Sequence, residues 1–392
     1  MKKHLIAAAV AAAVAVPAMA QNVTFYGLLD AGYGTIERET AGVKVAKKSA
    51  VGFSSNSSSR WGISGTEDLG GGLKASFTVE TGISTNMRSG LEKNPQNANG
   101  TNNGNGTTLD NAVVGDRGIF ATLSFPTGTD VRVGFGSTPI RDFTIAYDAM
   151  AGSNMVGNVL NNDSQFSSNR RTGIQVSQTL VKGLKGTVGI SKNDDANLGS
   201  SNDKSAKAQS GYIAALQYAD GPLSIGAAYQ DVKQKNEALS IGNYLTAGSS
   251  LVASEAVAAF DGKVKTTVIG GSYNFGVAQA FLQYGKKELD NDLEAIAKGE
   301  GEADAMSVGL RLPLGAITLM GQYSDGKNKL AAAAGTTESR NVSGYSLGAS
   351  YAFSKRTSAY LITGETKLDK GTHADAKEDK YSQTALGIVH TF

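Results

Sequence analysis

The chain of 392 residues contains no cysteine and 49 glycines, is only 40% hydrophobic, and carries 37 basic against 35 acidic side chains. Without thiols it cannot be a disulfide-stapled scaffold, use a cysteine nucleophile or hold a thiolate metal site, and its near-neutrality gives no support to nucleic-acid binding. A mean hydropathy just below zero describes a polar, β-rich protein and not a bundle of membrane helices.

The first twenty residues read as a secretory signal peptide. Lys2, Lys3 and His4 form a charged start, Leu5 to Val16 an apolar run, and Ala18-Met19-Ala20 a small-residue cleavage site before Gln21. Its removal takes two lysines and no acid, leaving a mature chain, 21–392, with 35 charges of each sign. No later stretch approaches the roughly 18 apolar residues of a spanning helix.

Alternation of apolar and polar residues begins at Val23 and runs to Thr35, where Val23, Phe25, Leu29 and Tyr33 interleave with Thr24, Tyr26, Asp30 and Gly34. This pattern predicts a first strand. Ile36 to Ser58 is polar and reads as a loop. From Ser59 to Glu80 the sequence spells two strands around Glu67-Asp68-Leu69-Gly70-Gly71, with one face apolar and the other polar. Thr85 to Gly115 holds an Asn/Gly-rich run that can bury little and reads as a long loop. Strands resume at Asp116–Phe125 and Asp130–Ser137, and Ser137 to Asn169 breaks the rhythm. Five further strand pairs follow at 170–193, 211–233, 263–286, 305–325 and 341–365, each around a short turn, and 380–392 closes the chain.

Sixteen strands result, and their connections alternate between short turns and long loops, as an up-and-down meander requires. All five prolines of the mature chain fall in loops, in turns or at strand ends, where a missing N–H breaks no ladder. Apolar and polar faces with aromatics near the strand ends favour lipid outside and water inside. The expected fold is therefore an all-β transmembrane antiparallel barrel, closed because lipid cannot satisfy a sheet edge. At sixteen strands the interior is too wide for side chains to fill and leaves an aqueous channel.

The run from Ser58 to Ala75, SSRWGISGTEDLGGGLKA, resembles the signature of Gram-negative outer-membrane porins of the betaproteobacterial kind, and the opening VTFYGLLDAGYG and terminal Phe392 agree with it. The resemblance implies a homotrimer in the outer membrane, with the third long loop folded into each lumen. It also implies contact with outer-membrane lipid, and insertion by assembly machinery that uses Phe392 as a signal. Where relatives often carry Gly-Arg-Gln, this chain reads Gly134-Phe135-Gly136, so an arginine of the pore is expected to be missing.

Strand parity places Arg60, Lys74, Arg132, Arg171, Lys185 and Arg311 on the lumen side, with Asp30 and Glu80 the clearest acids there. Arg117 has outward parity near the long-loop end. Asp142 and Asp148 in the third loop are candidates to face the basic wall across a constriction. Tyr212, Tyr218, Tyr273, Phe275, Tyr345, Tyr351 and Phe353 suit interfacial girdles better than a ligand box. An enzyme has little to work with: only His373 and His390 survive signal removal, and neither has a partner for acid–base or nucleophilic chemistry. Asp290-Asn291-Asp292 and Asn193-Asp194-Asp195 lack the full spacing of a calcium loop, so neither a metal nor another cofactor is expected. The expected function is passive diffusion of small hydrophilic solutes and ions, with a modest anion preference. A substrate-specific channel and a barrel-anchored adhesion protein remain as alternatives.

Overall fold

The computed structural model describes residues 22–52, 54–83, 114–161, 166, 169–194, 208–237, 260–291, 299–331, 337–371 and 377–392. The expected signal, most of the Asn/Gly-rich loop, Asp195, Asp292 and His373 lie outside the described residues.

The first part of the chain supplies β1 (Asn22–Thr40), β2 (Val43–Val51), β3 (Arg60–Gly70), β4 (Leu73–Gly82), β5 (Gly118–Ser124) and β6 (Thr129–Ser137). A short helix, α1 (Pro139–Ala146), precedes β7 (Arg170–Val181), β8 (Leu184–Asp194), β9 (Ala208–Asp220), β10 (Leu223–Glu237) and β11 (Phe260–Asn274). The remainder is β12 (Gln279–Asn291), β13 (Gly299–Leu314), β14 (Ile317–Ala331), β15 (Thr337–Ala352), β16 (Thr357–Leu368) and β17 (Asp379–Thr391).

From β3 to β17 every strand pairs antiparallel with its sequence neighbour, and β1 closes the ring between β17 and β3. Sixteen strands make the barrel, as the alternation predicts. The seventeenth is β2, which corrects the reading of Ile36 to Ser58 as loop. The first strand runs on to Thr40, turns through Ala41 and Gly42, both with positive φ, and returns as β2 against its own upper half. Glu37 on β1 ties this hairpin together by accepting from Lys44 and Lys47, each at 2.7 Å. Valines 43, 45 and 51 are all more than half exposed, so no apolar face is buried there to announce the strand.

Lipid-facing positions such as Leu216, Ile269, Leu282, Leu347, Leu361 and Leu386 are about half exposed on the barrel exterior. Aromatic pairs sit near the ends of this band, with Tyr273 4.7 Å from Phe275 and Tyr351 5.1 Å from Phe353 between ring centres. The buried core lies inside the barrel. Ile140, Phe143, Tyr147, Val156, Val159, Leu160 and Phe166 of the third loop pack on Ala228, Val268, Ala303, Ala305 and Val342 of the inner wall. Each large side chain so buried is worth about 1.5–3 kcal/mol, which fastens the loop to the wall.

The wall is shaped to receive that loop. Gly270 lies under the Tyr147 ring, where a β-carbon would stand 2.6 Å from it. Gly157 takes φ +96°, and a β-carbon there would run into the Tyr345 carbonyl oxygen. Both positions demand glycine for close approach.

Candidate pore constriction

The third loop leaves the wall at Thr138, crosses the lumen and returns at Asn169. Its neck is closed by Thr138 N–H donating to the Asn169 carbonyl at 3.1 Å and Thr138 Oγ1 donating to Asn169 Oδ1 at 2.8 Å. Pro139 stands in the first turn of α1, where a missing N–H costs no helical bond. Inward-facing glutamines clamp the rest: Gln322 Oε1 accepts from Ala149 N–H at 3.1 Å and Gln383 Oε1 from Val156 N–H at 3.1 Å. At the far side Asn154 N–H donates to Ser55 O at 3.0 Å, so the loop spans the lumen to the segment that precedes β3.

Two of the acids expected to face the lumen are buried and tied up by hydrogen bonds. Asp148 is 1% exposed and accepts from the N–H groups of Met150 (2.8 Å) and Gly152 (2.6 Å) and from Asn158 Nδ2 (2.7 Å). It therefore organises the loop and does not face the basic wall as expected, and burial pushes its carboxyl above the usual range. Asp30 is 0% exposed and accepts from Asn56 N–H, Ser57 N–H and Tyr360 Oη, fixing residues 54–59 to the barrel. Asp142, on the first turn of α1, is exposed to the lumen. Burial around it raises its carboxyl, opposed chiefly by Arg141 and Arg132.

The basic residues divide in the same way. Arg311 stacks on Phe281 at 5.1 Å and donates to Ala149 O at 2.7 Å, so it straps the loop down. Lys74 lies opposite Asp68 beside a short turn, away from the constriction. Lys185 sits just after another short turn, 3.6 Å from Asp130. Arg60 and Arg132 lie half-buried on the lumen side of β3 and β6, and Arg171 is buried beside Gly136 in the register of β6 and β7. Glu80 accepts from Arg117 at 2.7 Å and Tyr26 at 3.2 Å, and stands 3.8 Å from Arg60.

Arg117 turns inward to Glu80, an orientation that its outward parity conceals. Two further arginines are new. Arg141 on α1 and Arg170 at the foot of β7 feel each other and Arg117 electrostatically. Burial, then the Arg117 charge, brings the Arg141 guanidinium down to about 10, so it stays charged at neutral pH. Arg141 lies in a stretch without periodicity, and Arg170 has the parity of lipid-facing Ile174. Phe135 shares the outward parity of Val133, and the inward positions are Gly134, against the backbone of Ile119 and Phe120, and Gly136, beneath the Phe120 ring. One side of the lumen thus gathers Arg60, Arg117, Arg132, Arg141 and Arg170 against Glu80, Asp142 and Asp116, which accepts from Gly82 N–H at 2.8 Å.

His390 is on the outward face, its Nδ1 2.9 Å from Thr357 Oγ1. At the closing seam, Phe392 exchanges backbone hydrogen bonds with Gly27 at 3.0 and 3.1 Å and stacks on Phe25 at 5.6 Å.

A family model described as Gram-negative porin matches residues 7–371. An outer membrane porin protein of Bordetella pertussis is 27% identical over the full length of both chains. Outer membrane porin protein 32 of Delftia acidovorans is 44% identical over 80 residues, 20% of this chain and 22% of that one. Among solved structures, the anion-selective porin from Comamonas acidovorans superposes with a TM-score of 0.66 at 23% identity, covering 95% of this chain and 100% of that one.

Proposed function

We propose, from the premise that the chain belongs to the Gram-negative porin family and forms a water-filled channel in the outer membrane, that it is a homotrimeric general diffusion pore with a modest preference for anions. The observation that carries the preference is the sign of the constriction: five arginines gather where three acids do. Ions respond to charge within about a Debye length, roughly 8 Å at physiological salt, and low-dielectric walls concentrate that field. Two acids expected in the lumen, Asp30 and Asp148, are enclosed by hydrogen bonds, which leaves the arginines less opposed. Glu80 and Asp142 still neutralise part of the wall, so the preference is a bias and not a filter. The porin from Comamonas acidovorans, described as anion-selective, agrees in sign.

Passage in this reading is passive diffusion past a wall of fixed charges. Purified protein in planar bilayers should give discrete conductance steps, and proteoliposomes should swell in sugars at rates that fall with sugar size. Steps without swelling in any sugar would favour a substrate-specific channel. Neither steps nor swelling would leave the barrel as an anchor for its external loops.

A further inference from the structure

Between β2 and β3 the chain reads Ser54-Ser55-Asn56-Ser57-Ser58-Ser59, the composition of a plain loop, yet Ser55 and Ser59 are 1% and 2% exposed. Asp30 on β1 holds this strap. Its Oδ2 accepts from the N–H groups of Asn56 (2.9 Å) and Ser57 (2.7 Å), and its Oδ1 accepts from Tyr360 Oη (2.7 Å). Tyr360 reaches it from β16 across β17, over Gly387 and Gly32, where β-carbons would stand 2.5 and 2.9 Å from the hydroxyl. The strap in turn holds two parts of the constriction. Ser58 O accepts from Arg60 Nη1 at 2.9 Å, while Ser54 O accepts from Asn154 Nδ2 at 2.8 Å and Ser55 O from Asn154 N–H at 3.0 Å. Gln383 joins strap and loop, donating to Ser55 Oγ at 3.3 Å and accepting from Val156 N–H at 3.1 Å. A chain of hydrogen bonds therefore runs from Asp30 through the strap to Arg60 and the third loop.

We propose that Asp30 is a positioning residue of the pore: paired with Tyr360, it fixes the serine strap and so sets which solute sizes pass, although no solute touches it. The carboxylate is 0% exposed, and hydrogen bonds to an ionised acceptor are the stronger kind. Without those acceptors the strap loses its seat, and Arg60 and Asn154 lose their mooring. The proposal rests on the reading of the protein as a diffusion channel.

Proteoliposome swelling in raffinose and in arabinose tests it, with the arabinose rate measuring how much functional channel is present. The wild type should admit raffinose much more slowly than arabinose, and Asp30→Ala should lose most of that discrimination, its rate ratio moving toward one. Asp30→Asn should keep the wild-type ratio, because an amide oxygen still accepts from Asn56 and Ser57 while the amide nitrogen donates to Tyr360 Oη. A merely structural role would show instead as fewer channels of unaltered ratio. Asn154→Ala breaks the same chain of bonds from its other end and should also flatten the ratio, with the double variant no more permissive than the more permissive single. Should Asp30→Ala fail to insert, Tyr360→Phe, which strips one donor from the carboxylate, takes its place with a smaller loss. Equal entry of both sugars through the wild type, a wild-type ratio in these variants, or an Asp30→Asn channel as permissive as Asp30→Ala would overturn the proposal and leave the channel intact. Failure of arabinose to enter wild-type vesicles would overturn the channel reading, and this role of Asp30 with it.

Discussion

Asp142 and Asp148 lie six residues apart on one loop, yet only the first carboxylate meets water in the lumen. Selectivity should follow that difference. Asp142→Asn is expected to shift the zero-current potential further toward anions, whereas Asp148→Asn should leave it nearly unchanged and make the open channel noisier. The noise would come from weakened contacts to Met150 and Gly152, since hydrogen bonds to a charged group are worth about 1.5–3 kcal/mol each. Equal shifts from both variants would place Asp148 in the field after all. Arg60 is the complementary case, half-buried beside Glu80 and Arg117. Arg60→Glu changes the wall by two charges, and a unit charge about 8 Å away in a water-like dielectric is worth roughly 0.5 kcal/mol. At low salt the variant should alter monovalent ion partitioning by roughly fivefold toward cations, and the change should shrink as salt is raised. An Arg60→Glu channel with unaltered selectivity at low salt would remove Arg60 from the ion path.

The third loop is the element that crosses the lumen, and on the proposed function it narrows the pore. Excising Ala149 to Asn161 removes Met150, Met155, Val156, Val159 and Leu160 from their seats on the wall, and single-channel conductance should rise. Unchanged conductance would mean that the segment does not narrow the pore. The strands are legible in the sequence because lipid on one side and water on the other force an alternation along each of them. The loop is not. Its position depends on Gly270 beneath Tyr147, on Gly344 beside Gly157, on Gly364 beside Val156, and on Gln322 and Gln383, all far away in sequence. The β1–β2 hairpin escapes notice for another reason: its valines are exposed, and ion pairs with Glu37 support it. Parity finds Arg60 and Arg132 but not the inward turn of Arg117, which follows a local turn closed from Gly118 N–H to Gly115 O at 3.0 Å. Asp30 and Asp148 have lumen-compatible positions in the sequence, and only folding shows that backbone N–H groups enclose them.

For the whole molecule, closure and selectivity are separable. The ring closes where β17 meets β1, and Phe392 lies at that seam against Phe25 and Gly27. Deleting Phe392 leaves the thirteen-pair ladder of β1 and β17, which ends at Thr391, whole, so it should reduce the amount of protein inserted in the outer membrane more than the heat resistance of barrels already folded. Normal outer-membrane levels of the deletion mutant would count against a role in assembly. On the proposed function, selectivity follows the arginine-rich side of the lumen, and the chain's near-neutral total charge does not report it. The most direct measurement is therefore the zero-current potential of the purified wild-type channel in a planar bilayer under a potassium chloride gradient. Discrete conductance steps are expected, with a potential of the sign that marks chloride as the more permeant ion, declining as both salt concentrations are raised. A strong preference for potassium, or a potential of zero at low salt, would contradict an arginine-lined, anion-preferring pore.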